Sequence, residues 1–337
     1  MRDWSSQIAA FQSNLQFPTA NLKLHEPLAR YTPARVGGPA EALLEVTSAA
    51  ELQASVIAAR QAGLPILILG GGANVLISDA GVRGLTIINK AKRVEFQDNA
   101  VVWCEAGTIL PALARECVAR GLGGLEWAVG VPGTVGGAVV GNAGAHGRDI
   151  AAGLTSATIL NPANEVVEWS KAELQFKYRS SRIKRDAGCR MQDAGCEKQD
   201  ARSQGHAPRT THYVILAATF QLTPGDPAEL AARAAEFSDY RRRTQPPGAS
   251  LGSMFKNPPA MAAGRLIDQC GLKGTRRGGA EISTVHANFF VNRGEATAAD
   301  VKALIDLART QVRDRFGIDL ELEIELVGEW SGSWIVG

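Results

Sequence analysis

The chain has 337 residues and a formal charge of only +2, with acidic and basic residues interspersed along it. That length calls for two or three domains rather than one core, and that charge leaves no electrostatic footprint for duplex nucleic acid. No apolar run reaches the roughly eighteen residues that a membrane span needs, and Asp3 sits where a signal peptide is apolar.

Five cysteines, with no CxxC pair, argue against a complete disulfide framework. A soluble, reduced, cytoplasmic protein is expected. Residues 1–26 read as a short amphipathic leader. A strand-like alternation follows over 41–46, and Ser48-Ala-Ala-Glu51 predicts a capping box opening a helix to about Ala62, stopped by Gly63. Residues 64–69 are wholly apolar, as in a strand buried on both faces. They empty directly into Gly70-Gly71-Gly72-Ala73-Asn74-Val75, which suggests a ligand-facing loop. The pattern over 85–106 is β-like, and Thr108 is placed to cap a helix ending at Gly121.

Residues 130–147 are the most unusual stretch: Gly130-Val-Pro132-Gly133-Thr134-Val-Gly136-Gly137-Ala-Val-Val-Gly-Asn142-Ala-Gly144-Ala145-His146-Gly147. Glycine opens backbone conformations closed to other residues and lets the main chain approach a ligand. Exposed successive amides form an anion nest suited to a pyrophosphate, while tight turns packed by small residues explain the same composition. No Lys-Ser/Thr pair follows, so this is not a Walker loop, and no βαβ unit opens from it as in a dinucleotide fingerprint.

Strands are predicted over 154–169 and 213–222, flanking a seven-residue tandem that begins at Asp186 and again at Asp193. Its units offer only Ala and Cys as apolar groups, too small for a coiled coil. Six residues separate Cys189 from Cys196, so a metal site with His206 or His212 is set aside and a flexible surface insertion over 185–212 is expected. Residues 226–243 form a helix ending in Arg241, Arg242 and Arg243, cations that complement its dipole. Gln245-Pro-Pro-Gly248 marks a domain junction. A short helix over 264–270, a strand over 288–292 and a helix over 298–316 with one apolar face follow. The last strand, 318–327, alternates strictly. Ile318, Leu320, Leu322, Ile324 and Leu326 face a core, and Asp319, Glu321, Glu323 and Glu325 share the other side.

Taken together, these stretches resemble one family. The runs 69–76 and 130–145 are similar to the two flavin-phosphate segments of UDP-N-acetylenolpyruvoylglucosamine reductases. Tyr178-Arg179-Ser180-Ser181 resembles their Tyr-Arg-x-Ser element, and Gly252-Ser253-Met-Phe-Lys256-Asn257-Pro258 their Gly-Ser-x-Phe-Lys-Asn-Pro loop. His286-Ala-Asn288 and the run from Leu320 to Gly328 also fit. The resemblance implies an α+β architecture: a two-subdomain FAD-binding fold of the vanillyl-alcohol-oxidase/PCMH type (1–90 and 91–224) plus a C-terminal α/β substrate domain (225–337).

It also implies chemistry. Non-covalent FAD is reduced by NADPH as co-substrate, then reduces the enolpyruvyl ether of UDP-N-acetylglucosamine to UDP-N-acetylmuramate, a step of peptidoglycan precursor synthesis. Ser253 matches the proton donor, with a neighbour such as Lys256 supporting its hydroxyl. Arg179 supplies a fixed cation for the substrate carboxylate. Glu323 is the second catalytic side chain, and acting as a donor requires a raised pKa in a dry site. Tyr178, Lys256 and Asn257 are expected at the substrate, Asn257 as a buried amide. Residues 70–75, together with Gly130, Pro132, Gly133, Thr134, Gly136, Gly137, Asn142, Gly144 and Ala145, are expected at the cofactor. Thr244 stands where many members have lysine, so a diphosphate-binding role falls to Arg241, Arg242, Arg243 or Lys256. The tyrosine-free insertion resembles the subtype lacking a long covering loop. The implied partners are a UDP-sugar and NADPH, with no metal, nucleic acid or membrane, in a monomer. A flavin oxidase of the same fold and a non-catalytic UDP-sugar-binding regulator are the competing readings.

Overall fold

The computed structural model describes residues 4–15, 22–188, 213–330 and 333–335. The cysteines of the tandem, His206 and His212 lie outside the described residues, as does the expected insertion from residue 189 on, whereas 185–188 end the helix Arg182–Gly188. A four-stranded sheet begins the fold, in the order Lys23–Pro27, Pro39–Val46, Val82–Asn89, Ile66–Leu69. The first pair is antiparallel and the other two are parallel. The helix Ala49–Gln61 connects Pro39–Val46 to Ile66–Leu69, the crossover that parallel strands require. Half of the expected capping box forms there. Ser48 Oγ accepts from Glu51 N–H at 3.2 Å, but the Glu51 carboxylate turns to Thr47 N–H.

A second sheet runs Val166–Ser170, Leu154–Leu160, Val214–Gln221, Val101–Glu105, Val94–Gln97, antiparallel throughout. Leu160, Val214 and Leu216 of this sheet share a core with Leu52, Val56 and Ala59 of the first lobe's helix. The helix Pro227–Thr244, N-capped by Asp226, buries Leu230 and Ala234 in this second lobe. The helix after Thr108 spans Leu110–Ala119 and is not capped by Thr108. That residue is drawn into a turn onto Glu105 O and takes Val135 N–H on its own carbonyl, leaving its hydroxyl buried without a partner.

The third sheet, Ala249–Ser253, Phe289–Asn292, Ala280–Ile282, Arg276–Arg277, is antiparallel. The helix Ala298–Phe316 packs on the same core, burying Val301, Leu304, Ile305, Ala308 and Val312. Each fully buried Val, Leu or Ile stabilises by about 1.5–3 kcal/mol. Thr297 and Asp300 close a full capping box, and Gly317 ends the helix at φ +66°.

The last strand departs from its alternation. Only Glu325–Trp330 is a strand, pairing in parallel with Val75–Ile77 of the first lobe. Residues 320–324 are held instead by the loop after Ser253: Glu323 N–H donates to Met254 O and Lys256 N–H to Glu321 O, both at 2.9 Å. The α+β expectation holds. No helix among the described residues is long and apolar enough to cross a membrane. Cys104, Cys117 and Cys270 are free thiols, and burial pushes the Cys117 thiol up to about 12.

Candidate active site

Two glycine loops meet face to face. A Cβ on Gly70 would lie 2.1 Å from Thr134 Oγ1, and one on Gly71 would lie 3.0 Å from Gly133 Cα. Gly72 sits at φ +59°, where a Cβ would lie 2.3 Å from Tyr31 O. Any larger residue would prise the loops apart, so the wall they form is main chain. Pro132 and Gly137 are exposed on it, with nothing nearer than 4.0 Å to a Gly137 Cβ. This backbone surface fits a flavin diphosphate.

The nest is smaller than the composition suggests, because Val135–Gly141 is a short helix. The amides of Val135 and Gly136 are already committed to Thr108 O and Ala106 O. Asn142 ends that helix in the left-handed region, and its side chain is spent internally. Its Nδ2 donates to Asp149 Oδ2 at 2.9 Å and Lys177 O at 3.0 Å, and its Oδ1 accepts from Ala151 N–H. Gly144 and Ala145 form a two-residue strand paired with Arg148–Asp149, and a Cβ at Gly144 would lie 2.5 Å from Arg148 O.

Through Lys177 O, Asn142 also anchors the tight turn that carries Arg179. Lys177 and Ser180 exchange both backbone hydrogen bonds, leaving Tyr178 and Arg179 at the tip. Arg179 takes φ +53°, uncommon for a residue with a Cβ. Ser181 fixes the turn from below, its buried hydroxyl donating to Val140 O at 2.7 Å. Tyr178 is 59% exposed, with the Arg179 guanidinium 5.6 Å from its ring centroid.

Ser253 ends a strand whose register slips between Ser250 and Ser253, with Gly252 at φ +78°. Such a bulge re-aims the side chain after it. Asn288, buried, clamps the loop from behind, its Oδ1 accepting from Phe255 N–H at 3.0 Å and its Nδ2 donating to Phe255 O at 2.8 Å. The following segment 321–325 presents three carboxylates, and all three are paired. Glu321 meets Lys256, Glu323 meets Arg179 Nε at 2.7 Å, and Glu325 meets Lys184 at 3.0 Å. Glu321, Glu323 and Glu325 thus form a seam of ion pairs, although Glu321 stays exposed in it and Asp319, on the same predicted face, is exposed as well. Lys256 is engaged by Glu321 and does not reach the Ser253 hydroxyl.

The Arg179–Glu323 pair is half-buried, with side chains 25% and 18% exposed. It is a close charge contact whose angle at Arg179 Nε is poor for a linear hydrogen bond. Burial pushes the Glu323 carboxyl above its ordinary value, against the opposing pull of Arg179, then Lys184 and Lys256. The direction of that shift is the one a donor role for this carboxyl requires.

Asn257 differs from expectation: it is exposed, and its Oδ1 accepts from Ala263 N–H at the start of the helix Ala263–Gln269. Three residues gain roles that the motifs did not supply. Asn288 supports the serine loop. Asn74 donates to Glu323 O at 3.1 Å and takes Glu325 N–H on its own carbonyl. Arg241 packs over Gly130, where a Cβ would lie 2.6 Å from its Cδ, and burial followed by the nearby Arg179 charge depresses its pKa. Asn74 and Asn288 stand in segments that the motifs covered, and Arg241 at the cationic end of its helix, but the sequence did not show what each of them holds.

Residues 40–170 match the model of an FAD binding domain, and residues 244–327 match that of the UDP-N-acetylenolpyruvoylglucosamine reductase C-terminal domain. The UDP-N-acetylenolpyruvoylglucosamine reductase of Rubrobacter xylanophilus is 44% identical, covering 93% of this chain and 97% of its own. That of Chloroflexus aurantiacus is 43% identical, covering 90% and 96%. The crystal structure of the Thermus caldophilus reductase superposes with a TM-score of 0.71 at 33% identity, covering 90% of this chain and 97% of that one. With cradle, seam and serine loop in their expected segments, the chain belongs to the UDP-N-acetylenolpyruvoylglucosamine reductase family.

Proposed function

We propose that Ser253, Arg179 and Glu323 carry the chemistry by which this FAD-dependent enzyme reduces UDP-N-acetylglucosamine enolpyruvate to UDP-N-acetylmuramate with NADPH. The observation that carries this reading is the Arg179–Glu323 contact at 2.7 Å, next to the loop bearing Ser253. FAD bound along the glycine loops and reduced by NADPH would supply the hydride. As the terminal vinyl carbon accepts it, negative charge builds on the carbon bearing the substrate carboxylate and spreads onto that carboxylate.

Arg179, permanently charged and half-buried at the tip of its turn, holds the carboxylate as charge develops. Glu323, whose carboxyl burial shifts upward, donates a hydrogen bond to the same group when it is protonated. Ser253 passes its hydroxyl proton to the carbon. The glycine loops at 70–75 and 130–137 hold the cofactor through main chain, and Tyr178 lies beside Arg179 at the mouth. Lys256 and Asn257 line the substrate side. Asn142, Gly144 and Ala145 serve the cofactor indirectly, by shaping the hairpin and turn next to it.

Among the cations left open by Thr244, Arg241 is the best candidate for the substrate diphosphate. Arg242 pairs with Asp239, Arg243 donates to Asp239 O, and Lys256 is held by Glu321. The Arg241 side chain has no ion pair or hydrogen bond among the described residues, and it sits between Gly130 and Arg179. We further propose division at residues 90 and 224 and a cytoplasmic monomer, the latter checked by light scattering on a sizing column. The activity is tested by anaerobic mixing. The protein should be yellow, bleached by NADPH and recoloured by the enolpyruvate substrate. A protein that binds no flavin after reconstitution overturns the reading.

A further inference from the structure

We propose that Asn74 is a positioning residue for Glu323, so that the loop serving the cofactor also sets the geometry of the acid beside the substrate. This rests on the assignment of Glu323 to the proton-bearing role. Residue 323 lies in a stretch without regular structure, and its two backbone groups are held from opposite sides. Its N–H donates to Met254 O at 2.9 Å, on the serine loop. Its C=O accepts from Asn74 Nδ2 at 3.1 Å, on the cofactor loop. Two residues later, Glu325 N–H donates to Asn74 O at 2.9 Å, and from there Glu325–Val327 pairs with Val75–Ile77.

Asn74 thus fixes the chain on the C-terminal side of Glu323, with a side-chain donor to its carbonyl and a backbone acceptor at the start of the strand, while Met254 O holds the N-terminal side. The residue type follows from the task. A donor of this length without charge is needed at a carbonyl, and an aspartate would set an acceptor against an acceptor. Asn74 is exposed, so its bond adds little to folding stability. Its effect falls on placement. Glu323 is half-buried against Arg179, where a shift of about 1 Å is enough to cost on the order of a hundredfold in rate.

The test compares the wild type with Asn74→Ala, the near-isosteric Asn74→Asp and Glu323→Gln. In the apoprotein, hydrogen–deuterium exchange of the peptide covering 320–328 should accelerate by about tenfold in both Asn74 variants. At saturating FAD, reoxidation by the enolpyruvate substrate should slow by about tenfold more than reduction by NADPH, and Asn74→Ala should add less than about twofold to Glu323→Gln. Unchanged exchange, with the loss confined to FAD affinity, overturns the proposal, as does full additivity with Glu323→Gln. If the wild type itself is not reoxidised by this substrate, the functional reading fails while the exchange result still decides the role of Asn74.

Discussion

Around residues 70–72 and 133 the molecule is shaped by side chains that are missing, whereas around Glu323 it is shaped by charges brought from separate stretches of chain. In the first region a single methyl group on Gly70, Gly71 or Gly72 would meet backbone or Thr134 at 2.1–3.0 Å, so the fit is steric. In the second, Arg179, Lys184 and Lys256 converge on residues 321–325 from more than sixty residues away. The cradle should therefore fail in binding and the seam in chemistry.

The sharpest way to separate them is Ser253→Ala. Loss of the proton donor should slow reoxidation by about 10²–10⁴-fold while NADPH still bleaches the flavin, as stopped-flow absorbance would record. Equal loss in both half-reactions would erase the distinction. On the cradle side, Gly72→Ala combines a left-handed backbone with a clash against Tyr31 O. It should cost about 1–3 kcal/mol, read as roughly tenfold to hundredfold weaker FAD in a fluorescence titration. Unchanged affinity would show that the loop tolerates a side chain after all.

The seam makes a pH prediction. Because burial raises the Glu323 carboxyl, its protonated form persists above the ordinary carboxylate range, and reoxidation should decline as pH rises through the raised value. Glu323→Gln, a neutral mimic, should lower the rate but abolish that limb. The sign for stability is the same. The folded chain keeps this proton longer than the unfolded one, so stability falls as pH climbs from about 4.3 through the folded value and is flat above it. A limb that survives Glu323→Gln belongs to another group.

The smallest effect is expected from Lys184→Ala. Its pair with Glu325 is partly exposed and contributes about 1 kcal/mol or less to stability. Lys184 also pulls the Glu323 carboxyl down, so its removal should move the pH limb upward. A downward move would exclude the seam as the source of the electrostatics.

What could be read from sequence divides along the same line. The helix Ala298–Phe316 was legible because its apolar stripe and its cap are neighbours in the chain, and the glycine loops because composition alone reports a missing Cβ. The alternation over 318–327 was right for Leu320 and Ile324, which are buried, but Ile318, Leu322 and Leu326 are only half-buried and Val327, on the opposite parity, is fully buried. It could not report that residues 320–324 are captured by the serine loop, because alternation carries no information about the partner. For the same reason alternation could not show that the acidic residues at 321, 323 and 325 are ion-paired, and Asn257 looked buried. Their partners lie far off in sequence, at Lys256, Arg179 and Lys184, or close by at Ala263 N–H.

The parallel pairing of Val75–Ile77 with Glu325–Val327 has a practical corollary for dissecting the molecule. A fragment ending near residue 320 would lose Glu323 and also strip the cofactor lobe of its neighbouring strand. Ser78, whose N–H donates to Val327 O and whose hydroxyl donates to Glu329 O, would be left facing solvent. Such an open edge invites self-association. A synthetic peptide covering 318–337, added in trans, has a docking groove waiting and should restore the truncated protein, which makes the chain a candidate for split-enzyme complementation.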